Sequence, residues 1–98
     1  MITYCYYDIS SDKLRAKVRR KCQRHGLMSI QQSVLAGEID KGSYQALIDQ
    51  LRLFDEDLHY PDQIIIKQIP ISSLNNSYTL GRDMDRTLIT KNKDTYFI

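Results

Sequence analysis

The order strand, helix, strand, helix, strand predicts an α+β sandwich with two helices on one side of a sheet. Three stretches carry that reading. Ile2 to Ile9 alternates with period two, Leu14, Val18 and Cys22 repeat at helical spacing, and Tyr44, Leu47, Ile48, Leu51 and Phe54 share a second helical face. A chain of 98 residues forms one domain around a single core. Its 42% hydrophobic and 27% charged residues are ordinary for a globular protein. No apolar run approaches the ~18 residues of a membrane span, and the first residues lack the pattern of a secretory signal. A cytoplasmic protein without membrane contact is expected.

Along the first strand, Ile2, Tyr4, Tyr6 and Asp8 point one way and Thr3, Cys5, Tyr7 and Ile9 the other. Neither side is plainly polar, as in strands covered on both faces. Ser10 or Ser11 is placed to cap the next helix, and Asp12 suits its positive end. That helix is expected from about Asp12 to His25, with Gly26 where a left-handed C-terminal cap is wanted. Met28 to Ile39 reads as extended, either one long strand bent at Gly37 or two short ones. Asp40 opens the second helix, which ends in Asp55-Glu56-Asp57. Gln63 to Ile69 is the last strong strand; Ile64, Ile65 and Ile66 supply both faces, and Pro70 stops it. Two weaker extended pieces follow, Ser77 to Gly81 and Thr95 to Ile98. The expected division is a core of residues 1–70 and an extension of residues 71–98.

Two helices cover one face of a sheet. The apolar groups on the other face need a second layer, and another copy of the same sheet supplies one. A two-fold, sheet-to-sheet homodimer is therefore expected, with the closing strands extending the shared sheet or docking a partner.

Net charge is only +2, yet seven of the 14 Lys and Arg lie within the first helix: Lys13, Arg15, Lys17, Arg19, Arg20, Lys21 and Arg24. The acids gather elsewhere, so the chain carries a local basic surface rather than a basic whole. Such a cluster suits the phosphates of a nucleic acid; the plainer reading is a solvated helix face. Arg15 follows Asp12 by three positions and is placed for a surface ion pair, which at about 0.3–0.5 kcal/mol explains little of a seven-cation cluster. Lys17 carries charge without the two-pronged geometry of a guanidinium.

Asp8 ends the first strand just before that basic segment. A carboxylate there suits a divalent cation and a phosphodiester, because magnesium takes one or two carboxylates together with water and phosphate oxygens. The alternative is an Asp that caps the first helix. Cys5 and Cys22 show no metal-ligand spacing and read as small buried residues. His25 and His59 read as a helix end and a loop residue. No Gly-rich phosphate loop and no zinc pattern occur.

The segments Tyr7-Asp8-Ile9, Asp12 with Leu14-Arg15-x-Lys17-Val18, Gly26-Leu27, and Ile30-Gln31-x-Ser33-Val34 follow one another at fixed spacing. In that order they resemble the second CRISPR-associated (Cas) protein family, the small ferredoxin-like subunit of spacer acquisition. Tyr78-Thr79-Leu80-Gly81 resembles the family's late fifth strand, so the likeness extends over nearly the whole chain. The resemblance implies a ferredoxin-like sandwich, a dimer with facing sheets, and Asp8 as the aspartate of a metal-dependent nuclease using Mg2+ or another divalent cation. It also implies an integrase subunit as partner and double-stranded DNA or RNA as ligand, gripped by Arg15, Lys17, Arg19, Arg20 and Arg24. Three positions depart from the family pattern: Lys17 and Ser29 stand where arginine is common, and Leu35 where phenylalanine is. Two of these are associated with nuclease activity. Two other functions stay open, a non-catalytic adaptor for the integrase and a virulence-associated ribonuclease toxin of the same fold.

Overall fold

The structure, a computed structural model, describes residues 1–82, 89 and 90. Strand β1 (Ile2–Asp8) leads to helix α1 (Asp12–Arg24), then strands β2 (Met28–Gln31) and β3 (Val34–Gly37). Helix α2 (Lys41–Arg52), a short 3-10 turn (Asp55–Asp57), strand β4 (Gln63–Ile69) and a third helix, α3 (Ile71–Asn75), complete the order. The strands form one antiparallel sheet in the order β2-β3-β1-β4. This is a ferredoxin-like α+β sandwich, with α1 and α2 on one face.

Local chemistry sets the boundaries of α1. Ser11 is its N-cap and accepts the Leu14 N–H at 3.2 Å. At the other end Gly26 takes φ 97°, the left-handed cap that the sequence calls for. Asp40 caps α2 in the same way, accepting the Ser43 N–H at 2.7 Å. Leu14, Val18 and Cys22 from α1 and Leu47 and Leu51 from α2 bury against Cys5, Tyr7 and Leu35. Tyr44 and Phe54 pack partly against that core. Tyr7 thus serves packing, as its parity in the strand predicts. Cys5 and Cys22 are both fully buried there.

The region Met28 to Ile39 forms two strands, and the break lies at Gln32 and Ser33, not at Gly37. Ser33 sits at φ 73° and its carbonyl accepts the Tyr7 N–H at 3.0 Å, so the turn is pinned to β1. Gly37 stays inside β3, where a side chain has no room. An added Cβ would lie 2.6 Å from the Gly26 carbonyl oxygen.

β4 runs where expected, at one edge of the sheet. Ile64 and Ile66 lean on the helix-side core, whereas Ile65, on the opposite face, is 45% exposed. Pro70 ends β4 and also serves as N-cap of α3. The Ser77 to Gly81 piece is not a strand in this chain. Instead, residues beyond β4 return over the second sheet face. Leu74 and Ile89 are buried with Ile2, Tyr4 and Ala36, and the Glu38 N–H donates to the Ile89 carbonyl at 2.7 Å. Part of the second layer is therefore supplied by the chain itself. The Thr95 to Ile98 piece lies outside the described residues.

Candidate nucleic-acid interface

Strand register fixes where Asp8 points. Tyr4, Tyr6 and Asp8 alternate onto the face away from α1 and α2, opposite Lys67, Ile65 and Gln63 of β4 respectively. The Tyr4 and Tyr6 rings stack at 5.7 Å between centroids, and the Lys67 ammonium lies 5.2 Å from the Tyr6 ring centre. Asp8 closes this row. It is exposed, beside a shallow cavity of about 170 Å³ shared with Tyr6, Ser33, Val34, Gln63 and Ile65. Its carboxylate makes no hydrogen bond or ion pair among the described residues. Since Ser11 provides the cap of α1, the capping alternative for Asp8 is set aside.

The α1 cations occupy the other layer. Arg15 is committed within its own loop: it donates to the Ile9 carbonyl at 2.7 Å and the Ser10 carbonyl at 3.3 Å, and it pairs with Asp12. That ion pair ties down the strand-to-helix turn rather than leaving the guanidinium free for a ligand. Lys13, Lys17, Arg19, Arg20 and Arg24 are exposed and Lys21 is half-buried. None of these six forms an ion pair among the described residues. Unpaired charges on a regular helix repel each other, so they bind an external anion at little competitive cost.

Helical spacing sorts them further. Lys13, Lys17, Arg20 and Arg24 recur at i, i+4, i+7 and i+11 along one flank, whereas Arg19 lies nearer Arg15 on the other. The structure therefore brings Lys17, Arg20 and Arg24 together, and it does not bring any of them to Asp8. Carboxylate and cations stand on opposite faces of one sheet.

Two features of this region were not legible from the sequence. Asp62 accepts the Ser10 N–H at 3.0 Å, the Ser10 hydroxyl at 3.1 Å and the His59 N–H at 3.2 Å. Those donors hold its carboxyl below the ordinary range, the Ser10 N–H most of all. This clamp brings the loop around His59 to the start of α1, where His59, Asp57, Lys13 and Lys17 line one cleft of about 290 Å³. No sequence signal links positions so far apart.

Among the described residues, no group of three or more His, Cys, Asp or Glu side chains is arranged to hold a metal. No helix among them is long and apolar enough to cross a membrane. A comparison with curated proteins finds no match. The family model for CRISPR associated protein Cas2 matches residues 1–73, from β1 into α3, and stops short of Tyr78-Thr79-Leu80-Gly81. With the βαββαβ order, the strand-end aspartate and the basic first helix in place, this chain belongs to the CRISPR-associated Cas2 family and to its nucleic-acid-associated role in CRISPR adaptation.

Proposed function

We propose that the chain acts as a homodimer in spacer acquisition, holding the sugar–phosphate backbone of double-stranded DNA or RNA without reading its sequence. The carrying observation is the set of exposed cations on α1 that have no ion-pair partner among the described residues. Phosphate contacts of that kind position a duplex and carry no base information. Each releases counterions, giving a slope of log affinity against log salt of roughly −0.9 per contact on duplex DNA. Titration of the pure protein with a duplex across a salt series tests the reading. A steep negative slope is expected, and a flat one rules out backbone binding by α1.

Within this reading Asp8 is the residue for phosphodiester hydrolysis. An exposed carboxylate without a hydrogen-bond or ion-pair partner among the described residues is the type of donor that Mg2+ would take, with water and phosphate oxygens in the remaining positions. When bound, the ion supplies Lewis-acid stabilisation of charge on the phosphate. One chain offers one carboxylate, so two copies facing across their sheets bring the second.

A second reading rests on the separation described above. Because Asp8 and the α1 cations lie on opposite sheet faces, one chain does not deliver a bound backbone to its own carboxylate. A non-catalytic adaptor for the integrase, using residues 71–98 to complete the dimer sheet or dock the partner, fits that separation. Asp8→Asn distinguishes the two: retained assembly with the integrase and lost cleavage favours the catalytic reading, whereas a parent chain that assembles without cleaving favours the adaptor. No observation favours the toxin reading.

A further inference from the structure

The α1 surface has a wall that the helix does not supply. We propose that the cleft between α1 and the loop carrying His59 is a phosphate subsite, and that His59 is a binding residue there together with Lys13 and Lys17. This inference rests on the backbone-binding reading above and extends it to a second element of the fold.

The cleft has a volume of about 290 Å³ and is lined by Ser11, Lys13, Leu14, Lys17, Asp57 and His59. A space of that size admits a phosphate with its flanking sugar. Lys13 and Lys17 are one helical turn apart on the same flank and have no ion-pair partner among the described residues. Ser11 accepts the Leu14 N–H, which leaves its hydroxyl hydrogen to donate to an oxygen in the cleft. His59 is exposed on the facing loop, and its backbone N–H is fixed to Asp62. Asp62 in turn is fixed to Ser10, so this wall is attached to the residue that precedes the α1 cap. An imidazole N–H donates to a phosphate oxygen in either protonation state. The Asp57 carboxylate also lines the cleft and opposes an anion.

That opposition makes the test two-sided. Duplex affinity is measured at fixed salt for the full chain and for His59→Ala, Lys17→Ala, Arg24→Ala, Asp57→Asn and the paired changes. His59→Ala is expected to weaken binding about 3- to 10-fold, in line with loss of one ordinary solvent-exposed hydrogen bond. Asp57→Asn is expected to strengthen it about 2- to 3-fold, as removal of one partly screened like charge does. His59 and Lys17 hold one phosphate, so their double change is non-additive, while His59 with Arg24 adds. Unchanged affinity in both His59→Ala and Asp57→Asn, with Arg24→Ala still weakened, overturns the subsite and leaves the α1 reading standing. Absent or salt-independent binding by the unaltered chain overturns both.

Discussion

The Asp62 carboxylate accepts both the N–H and the hydroxyl of Ser10, joining the loop before β4 to the turn between β1 and α1. The Ser10 N–H, the His59 N–H and the Ser10 hydroxyl all favour its charged form, so its carboxyl titrates below the ordinary value of 3.8.

Because the folded value is depressed, the linked stability is fully present above pH 3.8 and is lost as pH falls through the depressed value. Asp62→Asn keeps one acceptor oxygen but removes the charge. The variant is expected to melt below the parent at neutral pH, and the two melting curves should converge on acidification below that ordinary value. Thermal unfolding across a pH series reads this directly. A gap that stays constant with pH assigns the clamp to neutral hydrogen bonding instead.

Asp8 gives the sharpest separation of chemistry from fold. Its side chain is exposed and makes no hydrogen bond or ion pair among the described residues, so Asp8→Asn should change stability by less than about 0.5 kcal/mol. Divalent-cation-dependent cleavage of duplex DNA or RNA should disappear in the variant, as it should in the unaltered protein treated with a chelator. Duplex binding in the absence of the metal should survive, since the α1 cations stand on the other sheet face. Cleavage at the parent rate by Asp8→Asn would remove this residue from the mechanism.

Gly37 is held by space alone. An added methyl would meet the Gly26 carbonyl at 2.6 Å and the Leu27 Cα at 3.1 Å, both parts of the backbone. Gly37→Ala therefore forces α1's C-terminal cap away from β3, at a cost of about 1–3 kcal/mol by analogy with overpacked cores. For a domain of this size the melting temperature should fall by roughly 4–8 °C per kcal/mol. Gly42→Ala is the control, because its Cβ would meet only the Asp40 side chain at 3.5 Å.

Periodicity made the frame of the fold legible. Leu14, Val18 and Cys22 announce the buried stripe of α1, Ser11 and Gly26 its limits, and Pro70 the end of β4. The β2–β3 turn was hidden because its left-handed residue is Ser33, a type with no strong preference for that conformation, while the visible glycine at position 37 serves close packing. α3 was hidden because Ser72-Ser73 reads as a loop, and its burial rests on Leu74 with Ile71 packed partly beside it. For the site, parity correctly sent Asp8 to the side of Tyr4 and Tyr6. Which side α1 covers follows from chain crossover, not from local pattern, so carboxylate and cations are neighbours in sequence while the sheet divides them. Contacts such as Ser10 with Asp62 carry no local signature at all.

The second sheet face bears on assembly. Leu74 and Ile89 cover the end near Ile2 and Ala36, while the end near Asp8 leaves Ile65 45% exposed beside a half-buried Tyr6. A second copy seated there would bury Ile65 against its own equivalent face and bring the two Asp8 strand ends toward one axis. Ile65→Asp places a charge in that contact, where an unpaired buried carboxylate is strongly unfavourable. The side chain is already half-exposed in the single chain, so the fold itself should survive with a near-parent circular dichroism spectrum. Sedimentation should then show a monomer where the parent is expected to run as a dimer, and any cleavage that needs both Asp8 residues should be lost with it. A variant that sediments as the parent does would place the dimer contact somewhere other than this end of the sheet.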